Sequence, residues 1–136
     1  MTVHAPPPGE TTREPVSYTR VFVYGTLLRG EGNHQYLKTA RLVGEARTSP
    51  AFRLHDLGAF PGLVAGGEHV VAGEVYEVDD ATLAALDQLE DHPEFYRRTG
   101  VVLDDGTAAV TYLLAPDQVE GHPVIASGSW RARGRR

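Results

Sequence analysis

From Tyr18 onward, short apolar runs alternate with breaks marked by glycine and proline, and the period of each run sets the element it predicts. Val21-Phe22-Val23-Tyr24 is β-branched and aromatic and halts at Gly25, which predicts a buried strand. Residues 31–38 are polar and fit a short helix. Residues 41–48 and 51–55 predict strands broken by Ser49-Pro50, and 57–62 reads as a loop containing Phe60-Pro61-Gly62. Residues 69–78 carry apolar side chains on both alternating faces, the pattern of a covered sheet or a barrel wall. Asp79-Asp80 then cap a helix from Ala81 to about Glu90, ended by Pro93. Residues 95–103 and 107–114 flank Asp104-Asp105-Gly106 and predict a hairpin. Together these elements predict one α+β domain of mostly antiparallel strands, closed or nearly closed on itself.

The flanks differ in character. Residues 1–17 hold Pro6, Pro7, Pro8 and Pro15 and read as an extended arm outside the domain at 18–130. Residues 131–136 hold Arg131, Arg133, Arg135 and Arg136 and read as a solvated Arg-rich tail. Net charge is −5. Without that tail, residues 1–130 contain nine basic against eighteen acidic residues. An acidic body argues against nucleic acid as a partner. The hydrophobic fraction of 41% supports a globular core, and no apolar run is long enough to predict a membrane span. The N-terminus lacks a signal-peptide pattern, so a cytoplasmic location is the default expectation. The chain has no cysteine, which removes thiolate nucleophiles, disulfides and zinc–cysteine sites.

Two positions carry candidate chemistry. At about 100° per residue, Glu90 shares a helix sector with Leu83 and Leu86, which should face the core. A carboxyl aimed there is desolvated and lies at the negative end of its helix, and both effects raise its pKa toward that of a general acid/base. The competing account is a helix that frays by Asp87, with Glu90 paired to Arg97 or Arg98. The second position is Tyr24-Gly25-Thr26-Leu27, directly after the first strand. Successive amides in such a turn can converge on a carboxylate or a developing oxyanion. An ordinary strand-ending turn is the alternative. The six histidines are scattered without metal-ligand spacing, so no metal or cofactor is expected, and no Gly-x-Ser-x-Gly elbow is present. His34 reads as a capping or supporting residue, and His92 as a loop histidine near Glu90.

The ordered set of motifs resembles the γ-glutamylcyclotransferase-like family, in the branch of the γ-glutamylamine and butirosin-pathway cyclotransferases. The resemblance runs from Val21-Phe22-Val23-Tyr24-Gly25-Thr26-Leu27, Gly30 and Asn33-His34 through Phe60-Pro61-Gly62-Leu63-Val64 and Gly73-Glu74-Val75-Tyr76-Glu77-Val78. It continues through residues 86–98, which end in Glu94-Phe95-Tyr96-Arg97-Arg98, to Ser127-Gly128-Ser129-Trp130-Arg131. It implies a small mixed, mostly antiparallel β-barrel flanked by a few short helices, with Glu90 as catalytic acid/base. It also implies that Tyr24, Gly25, Thr26 and Leu27 hold the glutamyl head of a small-molecule γ-glutamyl amide, which cyclises to 5-oxoproline without a cofactor. Pro61, Gly62 and Tyr96 are expected to line the pocket. A binding domain of the same fold that senses an amino acid without turnover, and a protein-interaction module using the arm and tail, are the rival functions.

Overall fold

The computed structural model describes residues 17–133, so the expected arm, apart from Ser17, and the tail beyond Arg133 lie outside the described residues. Seven strands form in chain order: β1 (Tyr18–Val23), β2 (Arg41–Arg47), β3 (Phe52–Asp56), β4 (Pro61–Ala65), β5 (Ala72–Asp79), β6 (Arg97–Val102) and β7 (Ala108–Leu113). One helix, α1 (Asp80–Leu89), follows β5, and Asp79 caps it by accepting the Thr82 N–H at 2.8 Å. The polar segment expected as a helix forms only a 3₁₀ turn, His34–Leu37. The strand expected from residue 69 begins at Ala72, and His69 contributes a single bridge to Phe52.

The sheet runs in the order β2-β5-β1-β7-β4-β3, with β6 on the other edge of β7. Four of the six pairings are antiparallel, while β7 runs parallel to both β1 and β4. A lone bridge, Thr48↔Leu103, spans the seam between the ends of β2 and β6. The sheet therefore curls toward a barrel without the continuous ladder that would close it. The fold is the α+β, mostly antiparallel arrangement expected, and "barrel" describes its curvature rather than a closed ring.

The parallel pairings create the feature on which the site depends. Val110 of β7 faces Gly100 of β6 on one side, so its pairing with Val21 of β1 occupies the other. Leu113, three residues on, pairs there with Leu63 of β4. Strands β1 and β4 therefore share one edge of β7 end to end, and the chain leaving β1 meets the chain entering β4. The loop expected over 57–62 is corrected accordingly: Pro61 and Gly62 open β4, pairing with Asp56 and His55. A proline read as a loop mark is compatible with the first position of a strand, where its missing N–H costs little. The core gathers Val21, Phe22 and Val23 of β1, Leu63 and Val64 of β4, Val75 and Val78 of β5, and Leu86 of α1.

Candidate active site

Glu90 is held by the way α1 ends. The Asp91 N–H bonds to the Gln88 carbonyl at 3.1 Å and the His92 N–H to the Asp87 carbonyl at 2.9 Å, the paired bonds of a Schellman stop. Asp91 takes the left-handed conformation this requires, with φ 55. The last turn is thereby locked rather than frayed, and Glu90 keeps the helical sector of the fully buried Leu86. Arg98, one of the two alternative partners for Glu90, is ion-paired with Asp87 instead. Among the described residues Glu90 has no ion pair, and burial raises its carboxyl to a pKa of about 7.

Glu90 opens into a cavity of about 450 Å³ whose walls include Tyr24, Gly25, Thr26, Leu27, Phe60, Pro61, Phe95, Tyr96 and Tyr112. The cavity lies where β1 and β4 meet along β7. Three phenols stabilise this junction. Tyr24 donates to the Tyr112 carbonyl at 2.6 Å, Tyr96 to the Pro61 carbonyl at 2.6 Å, and Tyr112 to Asp87 Oδ1 at 2.7 Å. Burial raises all three well above the usual tyrosine range, with the Glu90 charge adding to the effect, so each stays a neutral donor committed to the protein.

The chain leaving β1 turns under its own backbone bonds. Leu28 N–H reaches the Gly25 carbonyl at 3.0 Å, and Asn33 N–H reaches the Thr26 carbonyl at 2.8 Å. The Asn33 amide also donates to Thr26 Oγ1 at 3.0 Å, and the His34 Nδ1 lies 2.9 Å from the Leu27 carbonyl. Among the described residues, no acceptor engages the N–H groups of Gly25, Thr26 or Leu27, all on the cavity wall. Three consecutive unengaged amides in a sheltered site are the donors an anion requires. Gly25 serves this turn for a steric reason rather than for conformational freedom. It has no positive φ, and a Cβ there would lie 2.5 Å from Pro61 Cγ. Its bare backbone lets the β1 exit pack against the start of β4.

Residues 21–132 match the model of the family described as γ-glutamyl cyclotransferase, AIG2-like. The chain belongs to this family. A Vibrio cholerae protein provisionally designated a γ-glutamylcyclotransferase is 49% identical over 113 residues, covering 83% of this chain and 96% of its own length. The γ-glutamylcyclotransferase family protein YtfP of Escherichia coli K12 is 37% identical over 116 residues, covering 85% of this chain and 99% of its own. An AIG2-like protein from Mus musculus superposes with a TM-score of 0.74 at 32% identity, covering 87% of this chain and 91% of that one.

Of the positions that family resemblance singled out, Glu90, Tyr24, Gly25, Thr26, Leu27, Pro61 and Tyr96 gather around the one cavity. Gly62 does not: it lies in β4, where a Cβ would meet Leu114 Cδ1 at 2.4 Å, so its role is packing. Phe60, Phe95, Tyr112 and Asn33 also line the cavity and escaped the sequence reading. Only Asn33 carried a signal, as a polar residue just after the turn; Phe60 read as part of a loop, and Phe95 and Tyr112 as residues of the hairpin strands. His34 supports the turn through Leu27, as expected. His92 accepts the Arg98 N–H at 2.9 Å. Arg131 and Arg133, expected in a frayed tail, are docked: Arg131 donates to the Arg29 carbonyl, and Arg133 lies over the Trp130 ring. Among the described residues no helix is long and apolar enough to cross a membrane, and no three His, Asp or Glu side chains are grouped to hold a metal.

Proposed function

We propose that the protein cleaves γ-glutamyl amides by cyclising the glutamyl group. The substrate's α-amine attacks its own γ-carbonyl carbon, the amide C–N bond breaks, and 5-oxoproline and a free amine depart. One observation carries this reading: a single cavity combines a carboxyl that titrates near neutrality with three consecutive unengaged amides. Ionised Glu90 takes a proton from the α-ammonium, freeing the amine to attack; the attacking nitrogen sheds a second proton as the lactam forms, and the leaving nitrogen gains two as it departs as an ammonium, so protons balance without a protein nucleophile. Such a transfer contributes about 10²–10⁴-fold in rate. The amides of residues 25–27 bind the α-carboxylate and the developing oxyanion, a well-aimed donor being worth roughly 3–4 kcal/mol. Folding the glutamyl arm against these groups supplies the largest share, on the order of 7–11 kcal/mol.

The walls also bear on the leaving amine. Among the described residues they include Glu90 and Asp91 but no Arg, Lys or His. The phenol protons of Tyr24, Tyr96 and Tyr112 are already committed. A leaving group with its own carboxylate enters this space without a counter-charge, which is costly. An uncharged or cationic amine suits it better. Mass detection of 5-oxoproline and the freed amine from a panel of γ-glutamyl alkylamines, diamines and amino acids tests both statements. The expected result is turnover with amine substrates favoured over amino-acid substrates by about tenfold or more in kcat/KM. Tight binding of panel members with no 5-oxoproline from any of them would instead identify a binding domain.

A further inference from the structure

Glu74 is a buried carboxylate that the mechanism does not use. It lies on β5 opposite Val23, the last residue of β1, and is 1% exposed. Its Oε1 accepts the backbone N–H of Arg29 at 3.0 Å and the Tyr76 hydroxyl at 3.1 Å. Its Oε2 accepts Arg29 Nε at 3.1 Å and lies 3.6 Å from Arg131 Nη2. Arg131, from the 3₁₀ turn Trp130–Ala132, donates to the Arg29 carbonyl. Arg29 is therefore gripped at its N–H by Glu74 and at its C=O by Arg131, two residues beyond the last unengaged amide of the cavity wall. Burial alone would raise the Glu74 carboxyl, but the Arg29 N–H and guanidinium, with Tyr76, hold it below its ordinary value and keep it ionised.

A buried carboxylate paired with two half-exposed arginines is weak support for stability, since well-packed apolar groups often serve a fold equally well. It does impose geometry: a carboxylate with two fixed oxygens defines where the Arg29 peptide sits. We propose that Glu74 is a positioning residue which, with Arg131 as its counterpart, fixes Arg29 and so holds the Gly25, Thr26 and Leu27 amides in register for the substrate's glutamyl head. The role as stated rests on the cyclotransferase reading of that turn. The clamp itself does not.

Glu74→Gln preserves shape while removing the charge and turning one acceptor into a donor facing Arg29. The expected result is about tenfold faster hydrogen exchange at the bonded amides of Leu28 and Arg29, the scale of one lost charge-assisted bond, with exchange in β1 and β5 unchanged. KM for a γ-glutamyl amide rises and calorimetric affinity for 5-oxoproline falls by a similar factor, about tenfold. The acid limb of the rate profile stays near pH 7, because Glu90 is untouched. Unchanged exchange at Leu28 and Arg29 overturns the proposal, as does a loss of activity that only follows the unfolded fraction. If the wild-type chain releases no 5-oxoproline, the cyclotransferase reading fails while the exchange result still decides the clamp. Should Glu74→Gln not fold, Arg131→Gln, altered at a side chain 44% exposed, must show the same changes at about threefold. An Arg131→Gln chain with wild-type exchange and KM overturns the proposal equally.

Discussion

The carboxyl of the half-buried Glu90 is raised by desolvation, and that gives it a measurable effect on stability as well as on chemistry. Its pKa moves from 4.5 to about 7 on folding. A raised carboxyl adds full stability below its unfolded pKa and loses it as pH rises through the folded one, because ionisation is harder in the fold. Glu90→Gln removes this titration. The variant should therefore gain about 1–3 kcal/mol on the wild type between pH 4 and pH 8.5 in urea denaturation. An equal difference at both pH values would mean that Glu90 titrates normally. At Gly25 the constraint is steric, since any Cβ runs into Pro61. Gly25→Ala should cost about 1–3 kcal/mol by overpacking and reduce 5-oxoproline release by more than its unfolded fraction, because the amides move with the turn. Glu90 was legible because helical period and an apolar sector are local properties. The reason for Gly25 was not, because Pro61 is distant in sequence.

Among the elements, α1 shows how an ending can matter more than a length. Its Schellman stop puts Asp91 in the left-handed region and leaves Glu90 on the core side of the last turn. Asp91→Gly relieves the backbone there and should raise stability by about 0.5–1 kcal/mol with Glu90 kept in place, as read from thermal unfolding. A loss of stability would show that the Asp91 side chain, not the backbone, fixes the stop. The capped start of α1 and the β6–β7 hairpin were legible because their signals sit within a few residues of each other. Strand β4 was not. Phe60-Pro61-Gly62 carries the marks of a turn, and only pairing with β3 and β7 makes a strand of it.

At the scale of the whole molecule, the site depends on two parallel pairings that no local pattern announces. Val21 meets Val110, and Leu63 meets Leu113, across long stretches of chain. These contacts bring the exit of β1 to the entrance of β4 and leave a cavity for the end of α1 to close. The ordered motifs ran through most of the residues that meet there, Phe60 and Phe95 included, but the role of Phe60, Phe95 and Tyr112 as cavity walls emerged only from the assembled sheet. The most direct measurement of the central claim is the initial rate of 5-oxoproline release against pH, for the wild-type chain and for Glu90→Gln. The wild type should lose activity as pH falls through about 7, where Glu90 becomes protonated and can no longer accept the α-ammonium proton. The variant should keep its fold by circular dichroism and fall about 10²–10⁴-fold in rate. A folded Glu90→Gln chain that turns over at the wild-type rate, with the same acid limb, would contradict the account.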